Sequence, residues 1–229
     1  VRTGLSSFQV EPFEFQERAG GAKLYQPYYS FQASGVTLDP SATSGNGITL
    51  TTSSDYFDTT GTKTGSDYLD SKHVNVRLYY HGSEIKITSV QSATSATGNV
   101  IDELFASLDP DAIRTVDGSS TIKITQINHG MASGDSITIR NATAVGGINA
   151  SQINGTRTIS SIVDENIFEV TAGAAANTTE DGGGNIEIVT HAATEQWYEQ
   201  SYSELRGFPA AVGFHENRLW FGGTTSQPD

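Results

Sequence analysis

Five histidines are the first residues to weigh in this chain of 229, which has no cysteine. Imidazole ligates a metal readily where two rings share one helix face, as in H-x-x-x-H, and no pair here has that spacing. His129 and His191 would share a site only if the fold brought them together, so a structural or solvated role is the expectation for the histidines. Asp55, Asp58, Asp67 and Asp70 gather in one polar stretch, and Asp109, Asp111 and Asp117 in another. Calcium needs hard oxygens converging on one point, and neither stretch follows the D-x-D-x-D-G loop that supplies them. Solvated turns are expected there. No serine sits in a G-x-S-x-G elbow, and no ordered Ser/His/Asp set stands out. Gly182-Gly183-Gly184 is not followed by G-K-(S/T) or a helix start, so it reads as a strand connection, not a phosphate loop. The sequons at Asn141, Asn154 and Asn177 are expected by chance in so Asn- and Thr-rich a chain. No catalytic residue, cofactor or metal is therefore expected, and the segment reads as non-enzymatic.

The elements that position these residues are short. Gly, Ser, Thr, Asn and Asp are abundant while Lys and Leu are scarce, which favours strands and turns over helices. A formal net charge of −13 argues against a nucleic-acid-binding domain, which needs a basic stripe to displace counterions. Without thiols, stability must come from burial and assembly. No apolar run is long enough to span a membrane, and Val1 to Val10 lacks the features of a signal peptide.

Phe8, Phe13, Phe15, Leu24, Tyr25, Tyr28, Tyr29 and Phe31 make the first 35 residues aromatic-rich, and extended structure packed on another element is expected there. Val36-Thr37-Leu38 and Ile48 to Thr51 read as strands separated by Asp39-Pro40 and the Gly45-Asn46-Gly47 turn. Tyr56, Phe57 and Tyr68 are the expected anchors of the loop from Ser53 to Asp70. Val74, Val76, Leu78 and Tyr80 alternate with polar residues, and Ile85, Ile87 and Val90 follow His81-Gly82-Ser83, which predicts a hairpin. Ile101, Leu104, Phe105 and Leu108 fall at i, i+3, i+4 and i+7, which predicts a short helix ended by Asp109-Pro110.

Residues 119–189 read as an inserted module. Ile122/Ile124, Ile137/Ile139, Ile159/Ile162, Phe168/Val170 and Ile186/Ile188 are apolar pairs with polar residues between them, four of the five at period 2, the pattern of a small barrel or sandwich. His129-Gly130, Ser133-Gly134-Asp135, Ile153-Asn154-Gly155-Thr156-Arg157-Thr158-Ile159 and Asp164-Glu165-Asn166-Ile167-Phe168-Glu169-Val170 carry a resemblance. In that order they resemble a β module named after ubiquitin-activating enzymes and found as an insert in phage tail proteins. Ligase chemistry does not transfer with it, since it depends on a nucleotide site and a cysteine elsewhere. If the insert is removed, residues 1–118 and 190–229 rejoin as the host domain, which predicts that the ends of the insert lie close together.

The last stretch joins a turn at Gly207-Phe208-Pro209, a strand at Ala211-Val212-Gly213-Phe214, and a second strand at Arg218-Leu219-Trp220-Phe221 closed by Gly222-Gly223. With Trp197 before it and Gln227-Pro228 after it, this order resembles the sheet-building motif of tail tube and nozzle proteins of short-tailed bacteriophages. Gly82 to Ala96 resembles a second recurring segment of that family. The resemblance implies an all-β chain: a short-stranded sandwich or barrel domain carrying the small barrel-like insert and leading into a propeller-like region. It implies a structural subunit of the virion tail, assembled in the host cytoplasm, with a cyclic homo-oligomer, a hexamer, and other tail proteins as partners. DNA would pass an acidic wall during ejection without specific binding. The alternative is a host-surface glycan recognition module or adhesin. In that reading the inserted module or the Phe57 to Asp70 loop recognises a host-surface glycan or another tail protein. Separately, Trp197, Tyr198, Tyr202, Phe208, Phe214, Trp220 and Phe221 would make a sugar platform only where exposed, and strand aromatics more often serve cores or subunit contacts. Starting at Val1 without Met and stopping soon after the motif, the sequence is expected to be a piece of a longer polypeptide.

Overall fold

The computed structural model describes residues 27–81, 83–215 and 218–223. Phe8, Phe13, Phe15, Leu24, Tyr25, Gly82, Gln227 and Pro228 lie outside the described residues, and for His215, Arg218 and Leu219 the backbone alone is described. The chain is all-β, as its composition implies, with one short helix, α1 (Ala150–Ile153), among the described residues.

The first eight strands are β1 (Tyr28–Tyr29), β2 (Leu38–Pro40), β3 (Ile48–Thr52), β4 (Lys63–Thr64), β5 (Asp67–Tyr68), β6 (Arg77–Tyr80), β7 (Ser83–Ser92) and β8 (Ser95–Val100). The next eight form a second sheet: β9 (Phe105–Ser107), β10 (Ile113–Arg114), β11 (Thr121–Thr125), β12 (Ser136–Arg140), β13 (Gly155–Asp164), β14 (Ile167–Thr171), β15 (Asp181–Gly182) and β16 (Glu187–Val189). The chain then returns to the first sheet as β17 (Trp197–Gln200) and ends in a separate hairpin of β18 (Ala211–His215) and β19 (Arg218–Gly222).

In the first sheet the order is β1-β17-β6-β7-β8-β3-β2, with β4 and β5 attached beside β7. Period-2 patterning turns one face inward, so Leu38, Leu50, Leu78, Tyr80, Ile85, Ile87 and Trp197 are fully buried together. Each such side chain contributes about 1.5–3 kcal/mol by leaving water. The Val74 alternation starts later than its sequence predicts. Residues 71–76 turn, with Asn75 at φ +71°, and the strand begins at Arg77.

The second sheet runs β15-β10-β11-β14-β13-β12-β16-β9. Strand β13 changes partner along its length, Gly155–Thr158 pairing with β12 and Ile159–Asp164 with β14. That bend curls the sheet around a second core rich in isoleucine, including Ile113, Ile122, Ile124, Ile139, Ile153, Ile188 and Phe168. Two register shifts fall in β13. Ile159 is buried, but Ile162, expected in the core, is 37 % exposed; a separation of three residues is not the period-2 spacing that keeps two side chains on one face of a strand.

The helix expected from Ile101 to Leu108 is a strand. Phe105–Ser107 pairs antiparallel with β16, the Leu104 N–H donates to Thr43 O at 2.8 Å, and the Leu108 N–H donates to Ile186 O at 2.9 Å. Leu104 and Ala106 face inward while Ile101 is exposed. Two turns of helix carry a nucleation cost with little propagation to offset it, so pairing with an existing sheet prevails. Because β9 and β16 are hydrogen-bonded neighbours, the chain leaves the first sheet and re-enters it side by side.

Candidate functional site

His129 and Gly130 lie where the two sheets meet. The His129 ring is buried; its Nδ1 accepts from the Met131 N–H at 2.9 Å, so Nε2 carries the proton and donates to Asp164 O at 3.1 Å. This is a neutral ring with both nitrogens used, packed edge-on against Phe168 at 5.3 Å. Gly130 follows at φ +66°, and a Cβ there would stand 1.9 Å from Ala193 O. Thr194, the next residue, donates its hydroxyl to Asn128 O at 2.9 Å and receives the β2 backbone through the Leu38 N–H at 2.9 Å. The His-Gly turn thus presses the second sheet onto the segment that leads back into the first.

The other motif residues of the insert set turns. Asp135 accepts from the Ala132 N–H at 2.7 Å beside Gly134 at φ +98°. The Asn154 side chain grips the Ala142 backbone by both its N–H and its carbonyl, each at 2.9 Å, and Gly155 follows at φ +101°.

Two hollows flank the Gly130–Ala193 contact. One, of about 530 Å³, is lined by Asn128, Met131, Ile162, Asp164, Thr194 and Glu195 among others. The other, of about 390 Å³, includes Asp39, Asp135 and His191. Burial raises the Asp39 carboxyl, His191 draws it down, and Asp135 pushes it up again. His129 and His191 therefore reach the same seam but line different hollows. No group of three or more His, Asp or Glu side chains is arranged to hold a metal ion among the described residues.

The densest polar cluster lies in the first sheet. Strand β17 directs Trp197 and Glu199 into the core, where both are fully buried. The Trp197 indole donates to Val36 O at 3.0 Å and meets Tyr56 edge-on. Glu199 Oε1 accepts from Arg206 Nε at 2.8 Å and Oε2 from Arg206 Nη2 at 2.7 Å, the two-point geometry of an arginine–carboxylate pair. The Tyr56 hydroxyl also donates to Glu199, and Arg206 Nη2 donates to the Tyr56 oxygen at 3.1 Å. His73, also buried, uses Nδ1 to accept from the Asp58 N–H at 2.8 Å and directs Nε2 to Glu199 at 3.3 Å. Burial pushes the Glu199 carboxyl up, but the hydrogen bonds from Arg206 and His73 and the Arg206 charge outweigh it and hold it at about 2. Burial and the Glu199 charge raise the Tyr56 hydroxyl well above its usual value. Across the same sheet Glu84, nearly buried, binds Arg77 at 3.0 Å and the Tyr28 hydroxyl of β1.

The terminal motif forms the hairpin its sequence predicts. Val212 pairs with Phe221 and Gly213 with Trp220, and the turn before it opens with Gly207 at φ +88° ahead of Pro209. Gly223 closes it at φ +76°. Phe208, Val212, Phe214 and Trp220 are 62, 65, 80 and 56 % exposed, whereas Trp197 belongs to the core. The terminal aromatics are thus divided between a core and an open surface. Glu199, Arg206, Tyr56 and His73 had no motif to mark them; the inward step of Glu199, two residues after Trp197 on one strand, was the available signal.

The sequence matches no protein-family profile and no curated protein. Among solved structures, the phage phi92 endosialidase aligns with 76 % of this chain at a TM-score of 0.33 and 15 % identity. The chain spans 28 % of the length of that structure.

Proposed function

We propose that this chain is part of a structural subunit of a bacteriophage tail, of the nozzle or tubular kind, in which it contributes to the conduit for DNA ejection. The observation that carries this reading is the β18–β19 hairpin. Strands β18 and β19, within the stretch that bears the resemblance to the tail-tube motif, pair as a two-stranded ribbon, and among the side chains described there Val212, Phe214 and Trp220 are exposed. A two-stranded ribbon with such a surface needs a further β layer to cover it, which is what a sheet-building motif in an assembly provides. In this reading subunits close a ring, six by the family resemblance, within the virion tail. The net charge of −13 keeps DNA from adhering to the wall. Its main buried carboxylates, Glu199 and Glu84, serve as internal ties and perform no covalent chemistry. No helix among the described residues is long and apolar enough to cross a membrane.

A second reading rests on the seam hollow of about 530 Å³, whose amide, hydroxyl and carboxylate lining suits a hydroxyl-rich ligand such as a host-surface glycan. Sedimentation of the full-length parent protein together with a screen against isolated envelope glycans separates the two. A ring-sized particle without saturable sugar binding supports the structural role. A monomer that binds glycan rejects it in favour of the adhesin.

A further inference from the structure

We propose that residues 201–207 form a strap that seats the β18–β19 hairpin on the first sheet, with Arg206 as its charged fastening. The strap is a closed loop. Ser203 and Gly207 exchange backbone hydrogen bonds at 3.3 and 2.8 Å, and the Arg206 N–H donates to Ser203 Oγ at 3.1 Å. Its root is tied as well, the Ser201 N–H donating to Pro27 O at 2.9 Å and Gln200 Nε2 to Tyr202 O at 3.0 Å. The tightness of this loop, closed by Gly207 in the left-handed region, turns the Arg206 side chain back toward the sheet.

Once turned, the guanidinium stacks over Phe31 at 4.1 Å and ends on Glu199 and Tyr56. It thereby gathers β17, the loop of Tyr56 and the segment after β1 at one point. Immediately beyond Gly207 the chain changes character: Phe208 is 62 % exposed, and among the described residues each hairpin strand pairs with no strand but the other. The Tyr202–Phe221 ring contact at 5.8 Å joins the hairpin to the strap itself. The hairpin's seat is therefore fixed by a charged fastening in the sheet, with the strap as intermediary. Removing the fastening is expected to loosen the strap and, through it, the hairpin while both cores persist.

Amide exchange on the full chain, read by mass spectrometry, tests this with two variants. Arg206→Met alone leaves the Glu199 carboxylate buried without its partner. The double variant Glu199→Gln, Arg206→Met removes both charges and spares the core. In the double variant, exchange over residues 201–215 should rise by at least about tenfold while β6, β7 and β11 to β14 keep their protection. Unchanged exchange over 201–215 would overturn the strap. So would a uniform rise across β6, β7 and the hairpin together, which would make the cluster a plain core element.

Discussion

Arg206 meets Glu199 through two parallel hydrogen bonds, Nε to Oε1 at 2.8 Å and Nη2 to Oε2 at 2.7 Å, with the carboxylate fully buried. This pair joins the last strand of the first sheet to the segment that carries the terminal hairpin. A buried ion pair is not by itself strongly stabilising, because desolvation offsets the attraction, but losing one partner is costly. Arg206→Met should therefore lower the stability of the first core by about 3–5 kcal/mol. Urea unfolding followed at Trp197 measures it, and the double variant with Glu199→Gln should recover much of the loss. An equal loss in both variants would remove the pair from the account.

The same carboxylate sets an acid limit. The folded state holds Glu199 at about 2, below its ordinary value of 4.5, so its contribution is fully present above about pH 4.5. It is lost as pH falls toward 2, with a total on the order of 3 kcal/mol. Urea midpoints between pH 6 and 2 should decline over that window, and Glu199→Gln should flatten the decline. A parallel slope in the variant would place the acid sensitivity elsewhere.

Gly130 and Gly134 make a matched test of the seam. Both have positive φ, yet a Cβ at Gly130 would strike Ala193 O whereas one at Gly134 would meet open space. Gly134→Ala should cost about 1 kcal/mol, the conformational term alone. Gly130→Ala should cost about 2–4 kcal/mol, since backbone must shift as well. Equal thermal shifts in the two variants would contradict the close approach of the sheets.

Trp197 and Trp220 are the two tryptophans of the chain, one buried and one 56 % exposed. Acrylamide should quench one emitting population and spare the other, and Trp220→Phe should remove the quenchable part. Assembly through the hairpin should protect Trp220 from the quencher. Quenching that persists in the assembled state would place the hairpin outside the interface.

Much of the fold was legible in residue pattern. The hairpin of β6 and β7, the isoleucine pairs of the second sheet and the turn glycines follow from period-2 alternation and backbone conformations that only small residues adopt with ease. Ile101 to Leu108 misled because four apolar residues fit a helical face, and only the distant strand β16 decides that they pair instead. Ile162 misled for another reason: it stands three residues from Ile159, a spacing that period-2 alternation does not keep on one face. The cluster on Glu199 draws Tyr56, His73 and Arg206 from three parts of the sequence, and its members come together only through sheet order. Gly130 was visible as a turn residue, but its closeness to Ala193 depends on how the sheets are joined.

Electron microscopy of the full-length parent protein, alone and in the purified particle, tests the structural role most directly. A closed ring on the tail axis, with the β18–β19 hairpin inside a continuous β layer, is the predicted result. A monomer, or a fibre projecting away from that axis, would contradict the tail-conduit account.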